Sequence, residues 1–172
     1  MAILFGPVAY VNVVALDDWS DRVTTGEGRI YEIQIGRGAQ NQDVSVGGEL
    51  TITVCARFDQ PLVDPTFGVI IHDMNGAPLL DLRSIHDGLH LGRIAGDVAV
   101  RLTVPKLGLY PGCYLLSPWI MDTACSRDID FPRLCATLDV FPAAGEFGDL
   151  KLDPAWGRWF VRSHWERTAH AC

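Results

Sequence analysis

The sequence predicts an all-β fold, an immunoglobulin-like or jelly-roll sandwich of antiparallel strands. Short runs rich in β-branched and aromatic residues recur along the chain, and glycine, proline, asparagine and aspartate separate them. In several runs apolar and polar side chains alternate with a period of two, which is typical of a half-buried strand. Roughly eight or nine such runs, and no convincing amphipathic helix, are typical of a sandwich or a barrel.

The strands follow from this alternation and from the turn residues between them. The predicted strands cover residues 29–35, 48–58, 66–73, 79–85, 98–104, 114–121, 134–141 and 156–165. Asn75-Gly76 predicts a tight hairpin between the third and fourth of these, because both residue types tolerate positive φ. Residues 122–133 are the only stretch that could hold a short helix.

The domain boundaries follow from the same pattern. We assign residues 29–172 to one β-sandwich domain and residues 1–28 to an N-terminal arm or linker. The alternation around Val13 indicates that this arm contains a strand that packs on something. The apolar run over residues 1–16 lacks a basic start and is broken by Gly6 and Pro7, so it predicts neither a signal peptide nor a membrane span.

Charge and cysteine usage restrict the partners and the compartment. The net charge is −7 over 172 residues, and Lys106 and Lys151 are the only lysines, which disfavours a nucleic-acid partner. The five cysteines are odd in number and form no CxxC pair. We therefore expect reduced thiols and a cytoplasmic location.

The familiar signatures of catalysis are missing from the sequence. It has no phosphate-binding loop, no dinucleotide fingerprint, no HExxH and no GxSxG. His86 and His90 have the spacing of a helical metal pair, but Gly88 between them indicates a loop with solvated histidines. Asp128 and Asp130 are interpreted as an acidic loop rather than a calcium site. We expect no enzyme activity, no metal and no cofactor.

A candidate ligand-binding face emerges when the strands over 66–73 and 114–121 are divided into their two sides. One side carries Phe67, Tyr114 and similar residues, which we predict to be core. The other side mixes aromatic, hydroxyl and imidazole groups, a mixture suited to stacking on a sugar ring and bonding its hydroxyls. The candidate ligand-binding residues are Ile70, His72, Arg83, Ser117, Trp119 and Met121. The alternative is a face covered by the N-terminal arm or by a second subunit.

Four stretches of the chain carry a resemblance to a known family. They are residues 67–76 followed by Leu79 and Leu80, residues 47–54, residues 107–116, and residues 157–161 with Trp165. Together they resemble the C-terminal domain of the ATP-binding subunit of O-antigen polysaccharide exporters, the Wzt type, over about residues 29–165. The resemblance implies a β-sandwich that binds the end of a finished glycan at the cytoplasmic side of the inner membrane.

The resemblance also implies partners. It suggests a homodimer, formed by exchange of the closing strand over 156–165 about a hinge at 142–154, and a transporter nucleotide-binding domain as a neighbour. No nucleotide-binding domain is present in this chain, so we expect an excised domain or a stand-alone relative. Three functions stay open: a glycan-binding module for polysaccharide export, a protein–protein adaptor that uses the same face, and a small enzyme with a cysteine or histidine site.

Overall fold

The computed structural model describes residues 10–36, 43–143 and 150–166. The strands in these ranges are β1 (Tyr10–Ala15), β2 (Arg22–Thr24), β3 (Gly28–Gly36), β4 (Leu50–Val63), β5 (Thr66–His72), β6 (Pro78–Arg83), β7 (Arg93–Val104), β8 (Gly112–Met121), β9 (Asp128–Pro132) and β10 (Ala136–Val140). A single turn of 3₁₀ helix, Ser84–Asp87, is the only helical element of the described residues. The predicted all-β fold is confirmed.

The strands form two antiparallel sheets that face each other. The four-stranded sheet has the order β1-β3-β4-β7, and the six-stranded sheet has the order β2-β9-β8-β5-β6. In the larger sheet β10 pairs with the first half of β8, next to β9. The chain therefore crosses between the sheets several times, including from β6 to β7. This arrangement is the predicted antiparallel sandwich.

The core lies between the inner faces of the two sheets. Ile52 and Val54 of β4 face Phe67, Val69 and Ile71 of β5, and all are buried. Tyr114 is also buried, and its hydroxyl donates to the carbonyl oxygen of Tyr110 at 2.7 Å. The predicted core faces of the strands over 66–73 and 114–121 are thus confirmed.

A β-bulge in β3 changes the simple alternation. Ile30 pairs with Ala56 and Glu32 pairs with Cys55, so Tyr31 is an extra residue with no partner on β4. Strict alternation predicts Ile30 and Ile33 on opposite faces, but both are fully buried. The bulge explains this difference, because it resets the period by one residue.

The described part of the predicted arm, residues 10–28, belongs to the sandwich itself. β1 pairs with β3 as an edge strand, and β2 pairs with β9. Leu16, between them, is fully buried in the core. The strand expected in the arm is thus β1, and residues 10–28 pack into the sandwich, while residues 1–9 lie outside the described residues.

A buried ion pair joins β2 to β9. Asp130 accepts hydrogen bonds from the amide of Ile30 at 2.7 Å and from Arg22 Nη1 at 3.4 Å, and Arg22 Nη2 donates to the carbonyl oxygen of Leu16. Burial raises the pKa of the Asp130 carboxyl above its ordinary value and lowers the pKa of Arg22. The prediction of an acidic loop at Asp128 and Asp130 is wrong, because both lie in β9.

The predicted closing strand over 156–165 is absent. The backbone of this segment makes one isolated β-bridge, between Leu109 and Trp159. Beside it, the Phe160 N–H donates a hydrogen bond to the carbonyl oxygen of Gly108 at 2.7 Å. Trp156 and Trp165 are 80% and 89% exposed. The aromatic residues that suggested a strand have no neighbouring strand to pair with in the described residues. Part of the predicted hinge, residues 144–149, lies outside the described residues.

Candidate ligand-binding face

The outer face of the six-stranded sheet brings the six candidate residues together. In the register of β8, β5 and β6, Trp119 lies opposite Gly68, which lies opposite Arg83. The next row is Ser117, Ile70 and Asp81. Directly paired residues of antiparallel strands share a face, so these side chains all point away from the core. His72 and Met121 extend the same face at its two ends.

Trp119 is buried on this outer face. Its side chain is only 4% exposed and lies over Gly68, where a Cβ would be 2.2 Å from the indole ring. Indole Nε1 donates to Asp81 Oδ1 at 3.2 Å, and the Arg83 guanidinium lies 5.5 Å from the ring centroid. The prediction that Trp119 is free to stack on a ligand is wrong, because Asp81 and Arg83 cover it.

Ser117 and His72 are also engaged by the protein. Ser117 is fully buried, and its Oγ accepts a hydrogen bond from the amide of Leu134 at 2.8 Å. His72 Nδ1 donates to the carbonyl oxygen of Gly76 at 3.1 Å and is buried beneath the hairpin turn. Both residues therefore support the face, and neither offers its polar group to solvent.

The polar surface of the face is the ion pair between Arg83 and Asp81. Arg83 Nη2 is 2.5 Å from Asp81 Oδ2, and the two side chains are 38% and 32% exposed. Half-buried Ile70 and Met121 supply apolar surface beside it. A planar guanidinium next to a carboxylate offers donors and acceptors together, which suits a neutral polyhydroxyl ligand. Sequence reasoning missed Asp81, although its position two residues before Arg83 puts both on one side of β6.

The predicted loop histidines lie beside the face, not on it. His86 is in the 3₁₀ turn, and His90 follows in the loop, with Nδ1 3.7 Å from Asp64 Oδ2. Among the described residues, no three histidine, cysteine, aspartate or glutamate side chains are grouped so that they could hold a metal ion. No helix in the described ranges is long and apolar enough to span a membrane.

The two-sheet topology and this covered outer face define an antiparallel β-sandwich domain. The model of the Wzt C-terminal domain family matches residues 20–147, and the chain belongs to this family. Members of this family are domains associated with ABC transporters that export polysaccharides.

A solved structure supports the fold. The crystal structure of the C-terminal domain of Wzt superimposes with a TM-score of 0.69, covering 86% of this chain and 87% of that chain at 16% sequence identity. At that identity the likeness shows the fold alone. No curated protein matches the chain.

Proposed function

We propose that the chain is a non-catalytic glycan-binding module that recognises an O-antigen-type polysaccharide for export by an ABC transporter. The observation that carries the proposal is the Asp81–Arg83 pair, held on Trp119 at the centre of the outer face of the six-stranded sheet. Ser117, Trp119 and His72 hold the face in shape, while Arg83, Ile70 and Met121 contact the ligand.

The charge and the chemistry of this face suit a neutral glycan. The chain as a whole has a net charge of −7, which disfavours an anionic ligand. On the face itself, the Arg83 guanidinium and the Asp81 carboxylate cancel, so the pair adds no net charge. Sugar hydroxyls both donate and accept, so they can bond Asp81 and Arg83 at once. The apolar side chains of Ile70 and Met121 match the C–H face of a pyranose ring.

The proposal includes the place and the partners of the domain. The module acts at the cytoplasmic side of the inner membrane, beside a transporter nucleotide-binding domain, and forms a homodimer. The exposed aromatic residues of the segment 150–166, Trp156 and Trp165 foremost, support the homodimer, because large exposed apolar surface marks a contact region. Light scattering at micromolar concentration tests it, and a species of only 18.9 kDa contradicts it.

The second candidate function is a protein–protein adaptor that uses the same face. The face combines Arg83 with Trp119, and arginine and tryptophan are the residue types that contribute most at the centres of protein interfaces. A glycan array that carries O-antigen polysaccharides separates the two functions. If the chain is a glycan-binding module, it should bind at least one polysaccharide saturably. If it binds none on the array but captures a nucleotide-binding domain, the adaptor function is supported.

A further inference from the structure

In the described part of the chain, the sandwich is open along the side where β6 and β7 lie. These strands are the edges of the two sheets, and the chain crosses between them through residues 84–92. Leu82, Val100 and Leu102 point inward and pack against the core, yet each stays partly exposed. Inward apolar side chains that remain accessible indicate a gap between the sheets at this edge.

A cavity of about 360 Å³ occupies the gap. Its apolar walls come from both sheets: Val54, Phe67, Val69, Leu82, Val100 and Leu102. The polar residues that line it, among them Ser84 and Asp87, are at least partly exposed and so lie at its mouth. Protein interiors rarely leave apolar space of this size, whereas ligand pockets begin at about 300 Å³.

The segment that covers the cavity is fastened at both ends. Ser84 Oγ accepts the amide hydrogen of Phe67 at 3.0 Å. At the other end Asp64 and Gly92 exchange two hydrogen bonds, at 2.7 and 2.6 Å. Leu89 lies between these two ends and lines the cavity while 43% exposed. The mouth therefore has a defined rim, as expected of a preformed pocket.

We propose that this inter-sheet cavity binds a small, uncharged, predominantly apolar group. Its volume is somewhat more than twice that of a cavity that holds benzene, at about 150 Å³, so it has room for about two fused rings or a short acyl chain. Its walls are apolar and offer no partner to a charged group, so an uncharged ligand is favoured. The cavity opens between the sheets, separate from the Asp81–Arg83 pair, and does not depend on glycan binding.

The test uses indole as the apolar probe and methyl-labelled protein as the reporter. Titration of the full chain, followed by methyl NMR, should give saturable shifts at Val54, Val69, Leu82, Val100 and Leu102. Methyl glucoside at the same concentrations should leave these signals unchanged. If indole shifts none of these methyl signals, or shifts only signals from the exposed segment 150–166, the proposal is overturned. This result needs only the parent protein, so it does not depend on whether any variant folds.

Two matched variants sharpen the result. Val100→Phe fills the cavity, and Val98→Phe adds the same bulk two residues earlier, on the same side of β7 but outside the cavity lining. We expect Val100→Phe to weaken indole binding by about tenfold or more and Val98→Phe to leave it within about twofold. Equal affinity of Val100→Phe and the parent contradicts the site. Polysaccharide binding by Val100→Phe should equal that of the parent, which keeps this test distinct from that of the outer face.

Discussion

The indole of Trp119 lies directly over Gly68 on the neighbouring strand, and a Cβ on residue 68 would be 2.2 Å from two of its ring carbons. The glycine is required here for space, since its φ is not in the left-handed region. Gly68 thereby lets the indole lie flat on the sheet, where Asp81 and Arg83 cover it. This single contact determines the shape of the candidate ligand-binding face.

Gly68→Ala should therefore destabilise the domain. The added methyl group overlaps the indole, and overpacking of this kind costs about 1–3 kcal/mol. Chemical denaturation gives the free energy of unfolding. Gly157→Ala is the control, because the atom nearest to a Cβ there is the Tyr110 hydroxyl oxygen, at 3.3 Å. Equal stability of the two variants would contradict the proposed packing.

Trp119→Ala should lose stability, contrary to what the sequence suggests. The side chain is 4% exposed, and removal of a buried tryptophan costs about 3–5 kcal/mol. Trp156→Ala, at a position 80% exposed, should change the free energy of unfolding by less than about 0.5 kcal/mol. If thermal unfolding shows the two variants to be equally stable, Trp119 does not support the face.

Asp130 should give stability a distinctive pH dependence. Because burial raises the pKa of its folded state, its favourable contribution is complete below the ordinary aspartate pKa of about 3.9 and is lost as pH rises through the folded value. Asp130→Asn does not titrate, so the stability of the parent relative to this variant should fall as pH rises from about 4. A difference that grows with pH contradicts the raised pKa. Asp97→Asn, at an exposed ion pair, is the control.

Asp130→Ala should be much more damaging than Asp130→Asn. Both variants remove the carboxylate charge beside Arg22, but alanine also leaves the buried amide of Ile30 without its acceptor, at a further cost of about 1–3 kcal/mol. Asparagine keeps an oxygen for that amide. Urea denaturation at neutral pH measures both variants.

The thiols should react in an order set by burial. Burial raises the pKa of Cys135 to about 12 and also raises that of buried Cys55, so neither forms thiolate at neutral pH. Cys113 is exposed. In a Cys172→Ser background, iodoacetamide labelling followed by peptide mass mapping should modify Cys113 first. Early labelling of Cys135 contradicts its burial.

Sequence periodicity predicted the two faces of β5 and β8 correctly, because alternation is a local property of an extended chain. It could not predict that Trp119 is covered, since this depends on Gly68 and Arg83 from two other strands. The same limit applies to the segment 156–165, whose aromatic residues favour a strand, while pairing needs a partner strand, and the described residues supply only the isolated Leu109–Trp159 bridge. The three-residue strand β2 is too short to leave a pattern.

Calorimetry of variants with a polysaccharide selected on the array measures whether Arg83 and Asp81 contact a glycan. Arg83→Ala and Asp81→Asn should each weaken binding by about tenfold or more, because each removes a group that bonds the sugar hydroxyls. The control is Arg57→Ala, which breaks an equally charged, exposed pair with Asp97 on the other sheet, and it should bind as the parent does. Correctly folded Arg83→Ala and Asp81→Asn variants that bind the polysaccharide as tightly as Arg57→Ala would show that the Asp81–Arg83 pair does not contact the glycan.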